Sequence, residues 1–322
     1  MSSRVIDVAG LTKSYRSGRR RKATVVDAVR GVDLAVEQGE IFGFLGPNGA
    51  GKTTTLRILT TLLAPDGGTA TIAGADLLSD PKEVRRRVGY VPQGGCTWHD
   101  ASAREELVLH ARMHGISKRE AEARAAAKLE AFQLAEFADR PCKTYSGGQR
   151  RRVDIAMGVI HDPKVLFLDE PTTGLDPQSR ARMWEEIRRL RSTGTTVFIT
   201  THYLDEADAL CDRISIMDNG EIVAEGSPDD LKREVTGDVV VVGLNGATPQ
   251  ASDLLGKQAY VRRLETTDEG AVRLFVDDGT IAIPQILRAL DAARLELESI
   301  RLYRPSLDDV FLAKTGRSLS DA

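Results

Sequence analysis

Apolar residues fall along this chain in two patterns, short runs and helically spaced sets. Continuous runs at 41–45, 165–168 and 196–200 predict strands covered on both faces of a parallel sheet. The run at 29–36 alternates instead, with Val32, Leu34 and Val36 set against Asp33 and Ala35, and predicts a half-buried strand. Further strands are expected at 5–11, 69–73, 88–91, 213–217 and 221–225, the last two joined by an Asn219-Gly220 turn. Leu56, Leu59, Leu62 and Leu63 repeat at helical spacing over 54–63, and other helices are expected at 81–87, 178–191 and 204–211. From 102 to 137 the pattern is helical throughout. Two capping boxes are expected there, Ser102 with Glu105 and Ser117 with Glu120, and a packing stripe of Ala121, Ala125, Leu129 and Phe132.

Strands and helices in this order predict an α/β domain over 1–235, interrupted by an all-α insert at about 96–162. Composition then shifts near 235–238. Strands at 239–242, 260–264, 272–276 and 295–302, with Ile283, Ile286, Leu287 and Leu290 on one helix face behind Pro284 at an early helical position, predict a small α+β domain over 236–322. Ser306 with Asp309 should cap a last helix bearing Leu307, Val310 and Phe311. By itself this module reads as a separate accessory domain or a passive stabilising lid.

Charge and composition narrow the role. The 322 residues include 44 basic and 47 acidic, a net charge of −3, and 5% are aromatic, so no nucleic-acid partner is expected. Cys96, Cys142 and Cys211 are scattered without a C-x-x-C pair, which argues against a zinc site or a disulfide framework and for a reducing compartment. Arg4, Asp7 and Lys13 interrupt the N-terminus where a signal peptide needs an apolar core, and no run of about 18 apolar residues could span a bilayer. A membrane role would therefore need a partner. The basic stretch at 16–22, RSGRRRK, reads as a solvated hairpin tip, with contact to anionic lipid or an acidic partner as the alternative.

The strongest chemical signal stands between the run at 41–45 and the helix that follows. Residues 46–53 read GPNGAGKT and satisfy G-x-x-x-x-G-K-[ST] at each fixed position. A strand, glycine loop and helix in that order aim backbone N–H groups and a positive helix end at one point, which suits a polyphosphate. Gly46, Gly49 and Gly51 free the backbone, Lys52 reaches toward β and γ phosphates, and the Thr53 hydroxyl can ligate Mg²⁺. Asp169 and Glu170 end a buried strand where α/β sheets place ligands, and His202 ends the next one. YSGGQ, 145–149, opens a helix whose first turn carries Arg150, Arg151 and Arg152. Cations oppose the dipole there, so these arginines should serve acidic groups or bound anions, or else stand solvated.

In this order the motifs resemble the ATP-binding subunit of an ABC transporter, over roughly residues 1–235. GPNGAGKT resembles the Walker A loop, Gln93 the Q-loop glutamine, YSGGQ the signature, VLFLDE the Walker B strand, GLD the D-loop and His202 the switch histidine. SGGQRRRVDIA, TTHYLDEAD and SLDDVFLAKTG are most similar to the daunorubicin-resistance type of drug-exporter subunit, although Tyr145 replaces the leucine usual in the signature. The resemblance implies a P-loop NTPase fold with a helical subdomain, and ATP and Mg²⁺ as cofactors. It implies nucleotide contacts from Gly46, Pro47, Asn48, Gly49, Ala50, Gly51, Lys52, Thr53 and Thr54, and adenine stacking on Tyr15. Two copies would pair head to tail, so that Ser146, Gly147, Gly148 and Gln149 of one, with Asp176, close on the nucleotide of the other. Thr53, Gln93 and Asp169 would hold Mg²⁺, and Glu170, His202, Lys52 and Gln93 would carry catalysis.

The same resemblance implies homodimer contact or regulation for the domain over 236–322, and it implies a partner and a place. An integral membrane permease would dock near 93–103, where Trp98 and His99 are candidates, at the cytoplasmic face of the membrane. ATP hydrolysis would then drive export of a drug-like or lipid-like substrate. The alternatives are an importer subunit, or a soluble ATPase of this type acting on ribosomes or DNA. The latter usually has two ATP-binding halves or a long coiled-coil insertion, and neither is seen in this sequence.

Overall fold

The computed structural model describes residues 4–17, 24–235, 237–244, 248–267 and 271–317. Two compact units divide at Glu225 and Gly226. In chain order the first contains the strands β1 (Arg4–Ser17), β2 (Thr24–Glu37), β3 (Ile41–Leu45), β4 (Gly67–Ile72), β5 (Ala75–Asp76), β6 (Val88–Val91), β7 (Val165–Asp169), β8 (Thr196–Thr201), β9 (Arg213–Asp218) and β10 (Glu221–Gly226). The basic stretch at 16–22 falls mostly outside the described residues, between β1 and β2.

A six-stranded sheet in the order β10-β9-β3-β8-β7-β6 forms the body of this unit. Its inner strands β3, β7 and β8 are buried along their whole length, as apolar runs without alternation require. Parallel pairing sets Leu45 beside Thr201 and Asp169 beside Thr200, so the C-terminal ends of three strands share one edge. Phe42, Phe44 and Phe167 pack around Phe198 with ring centroids 5.5, 5.6 and 5.4 Å away. An antiparallel sheet, β2-β1-β4-β5, joins the same core through Ile6, Val8, Val32, Leu34 and Val36.

The helices of this unit are α1 (Lys52–Leu59), α2 (Pro81–Arg87), α3 (Ala103–Met113), α4 (Lys118–Ala131), α5 (Gly147–Gly158), α6 (Pro177–Ser192) and α7 (Leu204–Leu210). Helix α1 stops short of the expected residue 63, because the chain turns at Thr60 and Thr61, the latter with φ of 63°. The helical stretch expected over 102–137 is broken at Gly115, with φ of 81°, and again after α4. Ser102 and Glu105 form a complete capping box. Ser117 forms only half of one, since the Glu120 carboxylate accepts from Arg124 Nε at 2.8 Å instead of reaching back. Ala121, Ala125, Leu129 and Phe132 are all buried, as their spacing demands. In β6, a Cβ on Gly89 would lie 2.0 Å from Gly158 O, so this strand and the end of α5 meet backbone to backbone.

The second unit runs α8 (Pro228–Val235), β11 (Asp238–Leu244), α9 (Thr248–Gly256), β12 (Val261–Thr266), β13 (Val272–Val276), α10 (Gly279–Ala292), β14 (Leu297–Tyr303) and α11 (Leu307–Thr315). Its strands form an antiparallel sheet in the order β12-β13-β11-β14, a split β-α-β arrangement. One sheet face, with Val240, Val242, Leu274 and Val276, packs on Ala251, Leu255, Ile286 and Leu290 of α9 and α10. Helix α10 starts at Gly279, because Asp278 caps it through the N–H groups of Thr280 and Ile281, and Pro284 therefore lies inside the helix and not at the early position expected. Composition placed the boundary at 235, but α8 goes with the second unit, and Lys314 of α11 pairs with Glu234 at 3.6 Å. Ser306 and Asp309 form the expected box. Among the described residues no helix is long and apolar enough to cross a membrane.

In the first unit, the His114 ring stacks on His161, with centroids 3.7 Å apart and planes 5° from parallel. Burial first, then the neighbouring His114, holds the His161 pKa down to about 4, and burial also lowers His114. A folded pKa below the unfolded value of about 6.5 means that the unfolded chain binds the proton more readily. The stability His161 contributes is complete above that value and is lost as pH falls toward 4. Thermal midpoints should fall between about pH 7 and about pH 4.5, and His161→Asn should flatten the fall. An unchanged slope in the variant would show that this histidine does not contribute to it.

Candidate functional site

The loop after β3 follows a path that side chains cannot share. A Cβ on Gly46 would lie 2.3 Å from Met217 O and one on Gly51 2.2 Å from Ala28 O, and Gly51 also holds φ of 110°. Gly51 is the N-cap of α1, with no side chain bonded there and no acidic residue in the first turn. The leading amides of α1 are thus left for an anion. Pro47, Asn48 and Ala50 complete the loop, where Ala50 N–H donates to Pro47 O at 3.2 Å, and Thr54 stands in the first turn.

Lys52 is 4% exposed and donates from Nζ to the carbonyls of Gly46 at 2.6 Å and Pro47 at 3.0 Å. Its Nζ stands 3.8 Å from Glu170 Oε1. Burial pushes its pKa down, against the upward pull of Glu170 and Asp169. On the other side, Thr200 Oγ1 donates to Asp169 Oδ1 at 2.5 Å, and Thr53 Oγ1 donates to the same oxygen at 3.1 Å. Glu170 takes φ of 45°, a left-handed backbone rare outside glycine, and its N–H donates to Thr200 O and Oγ1, each at 3.1 Å. Glu170 Oε2 accepts from Gln93 Nε2 at 2.8 Å and Thr173 Oγ1 at 3.1 Å. His202 Nδ1 lies 3.1 Å from the same oxygen but out of line for a hydrogen bond, and that buried nitrogen has no hydrogen-bond partner.

Lys52, Thr53, Gln93, Asp169, Glu170 and His202 therefore meet in one cluster. The loop at 46–51 borders that cluster through the Gly46 and Pro47 carbonyls, whereas Ser146, Gly147, Gly148, Gln149, Asp176 and Tyr15 are no part of it. Ser146 Oγ accepts from Gln149 N–H at 3.2 Å and Ser146 N–H donates to Gln149 Oε1 at 2.9 Å, a complete box that starts α5. A Cβ on Gly148 would lie 3.1 Å from Ser179 Oγ, one on Gly147 3.9 Å from Leu175, and Asp176 caps α6 through Ser179 N–H at 2.9 Å. Tyr15 sits on β1 and is 41% exposed. Tyr145, in the leucine position of the signature, is buried and its hydroxyl donates to Phe137 O.

Sequence reasoning did not find what Arg151 does. Arg151 and Arg152, at the start of α5, bond backbone carbonyls and not the acids or anions expected. Arg151 donates to Pro92 O at 2.7 Å, Pro171 O at 2.9 Å, Asp169 O at 3.0 Å and Glu170 O at 3.3 Å, while Arg152 donates to Phe132 O at 3.0 Å. The cations at the wrong end of a helix were a readable signal, but carbonyl partners leave no trace in sequence. A hydrophobic Arg151→Leu replacement strands these carbonyls, at about 1–3 kcal/mol for a buried group. We expect a lower thermal midpoint and a kcat that falls more than ATP affinity, because the loop at 46–53 is untouched. Arg151→Lys should recover part of both. Denaturation and nucleotide titration check this, and a selective loss of affinity would refute it.

Oxygen donors from Thr53 and Asp169 suit a hard divalent cation beside a phosphate. Among the described residues no three His, Cys, Asp or Glu side chains could hold a metal ion by themselves, so such a cation would need oxygens from a bound phosphate or water. A family model described as ABC transporter matches residues 29–173, and one for the C-terminal domain of DrrA1-3-like ATP-binding proteins matches 226–315. The daunorubicin/doxorubicin resistance ATP-binding protein DrrA of Streptomyces peucetius is 43% identical, over 99% of this chain and 94% of its own. The Nod factor export ATP-binding protein I of Ralstonia nicotianae is 38% identical, over 99% and 96%. A solved dimeric ATP-binding cassette in a post-hydrolysis state, bound to ADP and Pi, is similar with a TM-score of 0.62 and 27% identity, over 69% of this chain and 98% of that one. On these matches the chain belongs to the ATP-binding ATPases of the ABC transporter family, among its DrrA-like members.

Proposed function

We propose that this ATPase is the energising subunit of an ABC exporter, acting at the cytoplasmic face of the membrane through a separate integral membrane permease. The observation that carries the reading is the meeting of Lys52, Thr53, Gln93, Asp169, Glu170 and His202 at one sheet edge. Relatives named for drug resistance and Nod factor export support outward transport of a drug-like or lipid-like substrate.

Each side chain then has a role. Lys52 would exchange the carbonyls of its own loop for β and γ phosphate oxygens, and residues 46–54 would wrap the phosphates with amides. Tyr15 offers an exposed ring to adenine. Mg²⁺, when bound, offsets phosphate charge, and Thr53, Asp169 and Gln93 would hold it. Glu170 would take the proton of the attacking water, and His202, whose Nδ1 stands 3.1 Å from Glu170 Oε2, would steady the γ-phosphate through its ring.

Ser146 to Gln149 form a rigid, self-capped helix start that is no part of the Lys52 cluster in its own chain. Such an end, with Asp176 nearby, suits phosphates presented by a second copy, and head-to-tail pairing provides them. A cleft of about 220 Å³ lined by Leu62, Tyr90, Cys96, His110 and His114, with Trp98 72% exposed and Met113 74% exposed, gives the permease an apolar seat.

Two variants separate binding from chemistry. Glu170→Gln should keep ATP affinity, lose nearly all turnover and accumulate an ATP-bound dimer in gel filtration, because the pocket keeps its shape without its base. Lys52→Ala should weaken ATP binding itself. Undiminished hydrolysis in the first, or unchanged affinity in the second, contradicts these assignments.

A further inference from the structure

The second unit carries a sheet face that contains none of the Lys52 cluster. Along β11, β13 and β14 the side chains alternate, and those opposite the α9 and α10 core are Val239, Val241, Arg273, Phe275, Arg301 and Tyr303. Strand register sets them in two rows. Phe275 and Tyr303 flank Val239 from either side, and Arg273 and Arg301 flank Val241 in the same way. Strand spacing puts the flanking pairs about 10 Å apart over a valine floor, with the rows about 7 Å apart along the strands. A groove of about 640 Å³ lies over them, within the size range of small-molecule sites.

The charges of this face are unbalanced. Among the described residues neither Arg273 nor Arg301 has an acidic partner. Glu265, across from Arg273, is bound by Arg263, and Asp309 at the rim is engaged in capping Ser306. The Phe275 ring already receives a cation, with Arg263 Cζ 4.5 Å from its centroid. A second copy docked through this same face would bring four unpaired guanidinium groups together, which like-charge repulsion opposes.

We propose that this face binds a planar aromatic anion. The ring would lie on the valine floor between Phe275 and Tyr303, and its carboxylate or phosphate would be taken by the guanidinium forks of Arg273 and Arg301. The site lies in the second unit and does not depend on the assignment of the phosphate loop.

Calorimetric titration of the full chain, in saturating ATP, with 2-naphthoate and separately with AMP tests the proposal and tells an aromatic carboxylate from an aromatic phosphate. At least one should bind. The double variant Arg273→Gln with Arg301→Gln should weaken it by about tenfold or more, as loss of charge-assisted hydrogen bonds implies, and so should replacing the probe by neutral 2-naphthalenemethanol. Tyr303→Leu, at a position 53% exposed, should weaken the ring contact without unfolding the chain. Unaltered binding in the double variant, equal binding of the neutral probe, or no binding of either anion would overturn the proposal. Tighter binding of oligothymidylate with the same arginine dependence would also overturn it, in favour of a nucleic-acid platform.

Discussion

One ammonium and two carboxylates, Lys52, Asp169 and Glu170, are taken out of water at the end of a parallel sheet, and each is tolerable only because of the others. An isolated buried charge of either sign is strongly unfavourable, and a partner with further hydrogen bonds is what offsets the loss of solvent. Thr53 and Thr200 supply those bonds to Asp169, while Gln93 and Thr173 supply them to Glu170. Lys52 completes its own shell with two carbonyls of the loop that carries it. The arrangement is self-satisfied, yet a group bearing several negative oxygens could replace the carbonyls and carboxylates around Lys52 without leaving the ammonium unpaired. The left-handed backbone at Glu170 is held by Thr200 and Arg151, and that strain keeps the carboxylate turned into the cluster.

Arg151 extends this constraint into the helical insert. Its guanidinium is a second buried cation, and its partners are carbonyls on both sides of the site, Pro92 just before Gln93 and Asp169 to Pro171 at the strand end. The start of α5, the segment that positions Gln93 and the backbone of Glu170 are therefore tied by one planar group with fixed donor directions. Movement of the insert cannot be absorbed locally. It is passed through the Arg151 guanidinium to the carbonyls beside Gln93 and Glu170, and under the proposed roles of these side chains that is a physical route from a docked permease to hydrolysis.

Much of this was legible beforehand, and for a definable reason. The phosphate-loop glycines at 46, 49 and 51, the continuous apolar strands and the acidic pair at a strand end each answer to a constraint local in sequence. Misreadings arose where two local choices competed or where the partner was backbone. Glu120 had both Ser117 and Arg124 within reach, and the arginine won. Pro284 suits an early helical position, but Asp278 caps the helix further upstream and sets the proline inside it. Arg151 bonds carbonyls brought together only by the fold, and the boundary between units depended on α8 and α11 meeting across much of the second unit.

The central claim is that each nucleotide site takes its loop from one copy and its serine-glycine turn from another. Mixing tests this most directly. A chain with Lys52→Ala and a chain with Ser146→Arg each lack one half, so neither alone should retain ATP through rapid gel filtration. Together they leave one site with both halves intact, and the account predicts that the mixture retains nucleotide in a mixed dimer. A mixture that behaves as the sum of its two inactive components would contradict it.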